Sequence, residues 1–168
     1  MISAEYLQTL ARYNSWQNRN LMTAADSLDE AALRAYRGAF FGSILATLNH
    51  ILWADRMWMS RLAYWPKPAK RSLAESVAET PDWSGYKAAR PRMDADLSAW
   101  AGQQRDEDLT GTLTWYSQSA EREIKKPLGL ILTHLFNHQT HHRGQVHAML
   151  TAAGARPDQT DLPFLPSA

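Results

Sequence analysis

The chain has 168 residues, 45% of them hydrophobic and 21% charged, with 18 Lys and Arg against 17 Asp and Glu for a net charge of +1. This composition is ordinary for one soluble domain and excludes whole-chain disorder, and scattered, balanced charge leaves no basic stripe for nucleic acid and no field for an anionic membrane. No cysteine is present, so disulfides, thiolate-ligated zinc, iron–sulfur clusters and a cysteine nucleophile are excluded, and any thiol chemistry needs a thiol from outside.

From about Ser3 to Ala25, residues Tyr6, Leu7, Leu10, Tyr13, Leu21 and Met22 recur at helical spacing without Pro or Gly, which predicts one long helix capped by Ser3 and stopped at Asp26-Ser27. A helical turn around Glu30–Ala35 and a loop through Gly38 and Gly42 follow. Ser43 opens a second long helix to about Leu62, apolar around nearly its whole circumference; Trp53, Met57, Trp58 and Met59 read as core and interface. Such a helix is covered on more than one side, by a bundle interior and a dimer contact. Residues 66–81 read as an exposed connection with one helical turn near Leu73–Glu79, and a third helix runs from Asp82 to about Gln104.

Between Asp106 and Lys126 the pattern changes. Leu109–Tyr116 is rich in Thr, Leu and aromatics, and Glu121–Lys126 returns as a second short strand after the turn 117–120. Pro127 suits the first turn of a last helix to about Ala152, stopped by Gly154. The expected fold is all-α, a four-helix bundle with a small β-hairpin insert before the last helix. It forms a single domain over 1–168 with an irregular tail over about 153–168. No apolar run nears the roughly 18 to 20 residues of a membrane span, and the N-terminus lacks a basic segment followed by an apolar core, so the expected location is cytoplasmic.

Four of the six histidines fall between His134 and His142. On the last helix Leu128, Ile131, Leu135, Val146 and Met149 define an inward stripe; His142 projects inside it and His138 sits at its edge, about 40° away. Two imidazoles at i and i+4 can converge on one ion, and a bundle core supplies further ligands from facing helices. His50, near the middle of the second helix, is the natural third, with His134 as a substitute; His141 and His147 project away. The residues between His138 and His142 include no Glu, so the metalloprotease pattern fails for want of its base. Three imidazoles suit Zn²⁺, Ni²⁺ or a similar ion and leave a position open. Asn49, Asp55, Asn137 and Gln145 are candidates to orient the rings. Gly144 signals close helix packing or room beside a ligand, and Arg143 either a carboxylate contact or simple solvation.

The string Asn137-His138-Gln139-Thr140-His141-His142-Arg143-Gly144-Gln145, with Leu48–Leu52 around His50 and Tyr13–Asn18 on the first helix, resembles the DinB family. The resemblance implies the DinB helix arrangement, commonly a homodimer, with one divalent metal on His50, His138 and His142. It also implies kinship with metal-dependent enzymes that use low-molecular-weight thiols. The leading expectation is therefore a thiol-dependent S-transferase or detoxification enzyme acting on an electrophilic small molecule, its thiolate activated by the metal. The alternatives are a nonenzymatic, metal-stabilised dimeric bundle and a metal-dependent hydrolase assisted by Asp55, Tyr116 or a nonligand His.

Overall fold

The computed structural model describes residues 2–118 and 120–167. Met1, Ser119 in the expected hairpin turn and Ala168 at the end of the expected tail lie outside the described residues. Helix α1 spans Ala4–Ala25, with the Ser3 side chain accepting the Tyr6 N–H as its cap. The short α2 spans Glu30–Arg34, capped by Asp29. Ser43 caps α3, Ile44–Leu62, and Asp82 caps α4, Trp83–Gly102. Each cap oxygen satisfies one N–H that the first helical turn leaves unpaired.

Strands β1, Thr112–Ser117, and β2, Arg122–Pro127, form the expected antiparallel hairpin, with Trp115 opposite Ile124. Helix α5 spans Leu128–Ala152, so Pro127 ends β2 and stands just before the helix instead of inside its first turn. At its far end Gly154 takes φ +85°, and the N–H of Ala155 returns to the Leu150 carbonyl at 3.0 Å, closing a Schellman-type cap.

Cross-helix contacts set the directions of the four long helices. His50 meets His138 and His142 while Trp58 meets His134, so α3 and α5 run antiparallel. Asp26 meets Trp83 while Asn14 meets Asp94, so α1 and α4 are antiparallel as well. Asn49 meets Thr80 and Asp55 meets Arg90, so α3 and α4 run in the same direction. The result is an up-down-down-up bundle in which residues 63–82 carry the chain back along its length. No helix among the described residues is long and apolar enough to cross a membrane.

The all-round apolarity of α3 has an explanation within the chain. Ile44, Leu45, Leu48 and Leu52 enter the core, while Trp53 donates its indole N–H to the Lys70 carbonyl at 2.9 Å, under the returning connection. Trp58 packs edge-on against Trp115 of the hairpin, ring centroids 5.5 Å apart, and the Arg61 guanidinium lies 4.7 Å from the Trp58 centroid. The connection is thus less exposed than its sequence suggests: Pro68, Ser76 and Thr80 are buried in it, and its helical content is one 3-10 turn, Ser76–Ala78. Asn49 holds that turn down through the Val77 carbonyl and the backbone and hydroxyl of Thr80.

Candidate metal centre

The antiparallel crossing of α3 and α5 brings His50, His138 and His142 together, with one ring nitrogen from each lying within 4.8 Å of the other two. His50 and His142 are buried at 3% and 8% exposure, and His138 is half-buried. The Nε2 atoms of His50 and His138 stand 3.2 Å apart, a separation that two bonds of about 2.0–2.1 Å can span. His134, the substitute, lies one turn away with its ring 5.5 Å from that of His138 and in an edge contact with Trp58 at 5.3 Å; it is outside the group.

Hydrogen bonds behind the rings fix which nitrogen faces inward. The Ser76 hydroxyl donates to the Leu73 carbonyl at 2.6 Å, so its oxygen accepts the Nδ1–H of His50 at 2.9 Å and leaves the Nε2 lone pair pointing at the cluster. Gln145 Oε1 accepts the Nδ1–H of His142 at 2.8 Å with the same consequence. Phe41 stacks on His50 at 3.9 Å between centroids and shields the cluster on one side. The donor set therefore fits a borderline divalent ion: neutral imidazoles, oriented from behind, in a partly apolar setting.

Electrostatics act in the same direction. Burial, reinforced by the neighbouring His138 and His142, pushes the His50 pKa down to about 3. Burial and the charges of His142, His134 and His141 likewise push His138 down to about 3. His142 is also lowered, chiefly by burial, against the opposing hydrogen bond to Gln145. All three rings are thus neutral near pH 7, the form that binds a metal.

Of the four polar candidates for orienting the rings, Gln145 alone touches a ring of the histidine group. Asn49 acts at one remove, by anchoring the turn that carries Ser76, and Asn137 is exposed. Asp55 faces away, into a buried polar ring that joins all four long helices. Its Oδ2 accepts from Arg90 Nη1 at 2.6 Å, and Arg90 Nη2 lies 2.9 Å from Asp94 Oδ1. Asp94 Oδ1 also accepts from Asn14 and Asn18; Arg143 Nη1 donates to Asn14 and Gln139, and Gln139 donates to Asp55 Oδ1, closing the ring. Burial opposes these charges, but the Asp94 and Asp55 carboxylates outweigh it at Arg90 and push its pKa up. Arg143 is accordingly buried at 5% exposure and not solvated. Gly144 is not a packing glycine, because a Cβ added there meets nothing within 4 Å. Tyr116 stands on the exposed side of β1, at 64% exposure.

Sequence spacing found the three histidines and Gln145 but missed Ser76, Phe41 and the ring through Gln139 and Arg143. The alternation of Gln139 and Arg143 with His138 and His142 carried a signal, since both pairs repeat at i and i+4 on adjacent faces of one helix.

A four-helix bundle with a histidine group able to hold a metal between its second long helix and its last defines the class. The whole chain, residues 1–168, matches the DinB family model, and the chain belongs to that family. It is 25% identical over 161 residues to Protein DinB of Bacillus subtilis (strain 168), covering 94% of this chain and 92% of the relative. Its fold is similar to the crystal structure of a DinB-like protein from Bacillus cereus ATCC 10987, with a TM-score of 0.68 at 18% identity over 94% of this chain and 97% of that one.

Proposed function

We propose that this protein binds a divalent ion, zinc or nickel, through His50, His138 and His142, and uses it in S-transfer from a low-molecular-weight thiol to an electrophilic small molecule. The observation that carries the metal reading is the convergence of three neutral imidazoles, two of them with Nδ1 committed to Ser76 and Gln145 and Nε2 free for the ion. When bound, the metal supplies Lewis acidity that lowers a thiol's pKa and holds the thiolate. Three protein ligands leave room for such an exogenous group, and the absence of cysteine from the chain agrees with a thiol brought from outside.

The chain's own residues orient the rings, exclude water and shape access. Ser76 and Gln145 hold the His50 and His142 tautomers, and Phe41 stacks on the His50 ring while Phe40, 76% exposed, stands edge-on to Phe41 at 4.8 Å. These two rings offer an apolar wall to an electrophilic substrate. Hydrolysis by a bound water is less well supported, because both oxygens of Asp55 are engaged by Arg90 and Gln139. A purely stabilising metal has one observation in its favour: the ligands come from α3 and α5, so an ion would brace the two helices.

Zinc- and nickel-loaded protein should be screened with several low-molecular-weight thiols and a chromogenic electrophile. Turnover that is lost on chelation and restored by the metal supports transfer; stoichiometric metal without transfer to any acceptor favours the bracing role.

A further inference from the structure

On the side of α5 roughly opposite His138 and His142, at about 100° per residue, lie Thr140, Gly144 and His147. Together with Arg143 and with Tyr13 and Leu21 of α1 they line a cavity of about 240 Å³, closed at one edge by Thr160 of the C-terminal tail. The tail is strapped there by side-chain donors: Tyr13 Oη to the Thr160 carbonyl at 2.6 Å and Gln17 Nε2 to the Gln159 carbonyl at 3.1 Å. No acidic side chain among the described residues lines this cavity.

Arg143 gives the cavity its chemistry. Among the described residues its hydrogen bonds all go to neutral oxygens: Nη1 to Asn14 and Gln139, and Nη2 to Thr140 at a long 3.3 Å. The carboxylates nearest in the ring, Asp55 and Asp94, are already paired with Arg90. A guanidinium carries five N–H donors, and those on Nε and the second of Nη2 form a parallel fork matched to a carboxylate. Among the described residues no acceptor bonds Nε, and Nη2 has only the long contact to Thr140. Gly144, whose missing side chain no neighbour requires, keeps the space beside it open. Tyr13 and Leu21 supply an apolar wall, with the Tyr13 ring 5.6 Å from the guanidinium carbon.

We propose that this cavity binds a small organic monocarboxylate. Its carboxylate pairs with the Nε and Nη2 edge of Arg143 beside Thr140 and His147, and its short apolar body lies against Tyr13 and Leu21. The volume sits just under the range of pockets for drug-sized ligands, which limits the occupant to a few carbons or one ring. The site is separate from the histidine group and needs no metal.

The probes are butyrate and benzoate against their amides, with inorganic phosphate at matched ionic strength, followed by ¹⁵N–¹H spectra of both metal-stripped and zinc-loaded protein. Expected are saturable shifts of the Thr140, Gly144 and Thr160 amides, at least about tenfold tighter for the acid than the amide and equal with and without zinc. Replacing Arg143 would break the ring joining four helices, so the decisive variant is Gly144→Leu, which fills the cavity and leaves the ring intact. It should melt no lower than wild type and lose the shifts. No saturation at tens of millimolar, equal response to the amide, response to phosphate alone, dependence on zinc, or binding retained in folded Gly144→Leu would each overturn the proposal.

Discussion

A single hydroxyl and a single missing methyl group illustrate how much the candidate site depends on individual residues. Ser76 touches no ion position, yet its contact sets the proton on the far side of His50. Ser76→Ala is expected to weaken zinc binding about 10- to 100-fold, the usual effect of losing an orienting partner behind a ligand, as measured by competition with a chromogenic chelator. An unchanged affinity would mean that His50 needs no partner to hold its tautomer. Gly144→Ala works in the opposite sense. A glycine inside a helix costs about 0.8–1.0 kcal/mol relative to alanine, and the added Cβ meets no neighbour, so urea denaturation should show a gain of that order.

The imidazoles also fix a pH dependence at this scale. His50 and His138 have folded pKa values of about 3, below the roughly 6.5 of an unfolded chain. The unfolded state therefore takes up protons first as pH falls, so stability is fully present above about pH 6.5 and is lost progressively between there and pH 3. Metal-free wild type should show this slope in chemical denaturation, and His50→Gln should flatten it. An equal slope in both proteins would remove His50 from the titration.

At the level of elements, α3 and α5 are held in register by two layers that share residues of one helix turn. One layer is the histidine group and the other the ring of Asp55, Arg90, Asp94, Asn14, Arg143 and Gln139. Removing one partner of a buried pair strands the other charge, so Asp55→Ala should destabilise the protein by about 3–5 kcal/mol. Breaking the exposed Glu30–Arg34 pair, one helical turn apart, should cost only about 0.3–0.5 kcal/mol. Equal effects in denaturation experiments would show that the ring is solvated. The 3-10 turn Ser76–Ala78 is the third element of the site, and Asn49 ties it to the same helix that carries His50.

Across the whole molecule, the legible features were those with a period. The long helices follow from apolar residues at helical spacing between Ser3, Ser43, Asp82 and Gly154, and the hairpin from alternation around Trp115. His138 and His142 were visible for the same reason, and His50 because helix middles meet in a bundle. Contacts through irregular chain have no such period. Ser76 reaches His50 across 26 residues of sequence from a segment that reads as exposed loop. Arg143 read as a carboxylate contact or a solvated residue and Asp55 as a ring-orienting group because their partners, Asn14 of α1 for one and Arg90 of α4 and Gln139 of α5 for the other, lie far away in sequence. The hairpin packs against Trp58 and the returning connection against Trp53, two of the α3 residues that read as core and interface.

Metal stoichiometry is the most direct test. Protein purified without a histidine tag should be measured by elemental mass spectrometry beside His50→Ala, His138→Ala and His142→Ala. About one divalent ion per wild-type chain, lost in each variant, is the expected result. A wild type that is metal-free and cannot be loaded, or variants that keep their ion, would contradict a metal centre at these three residues.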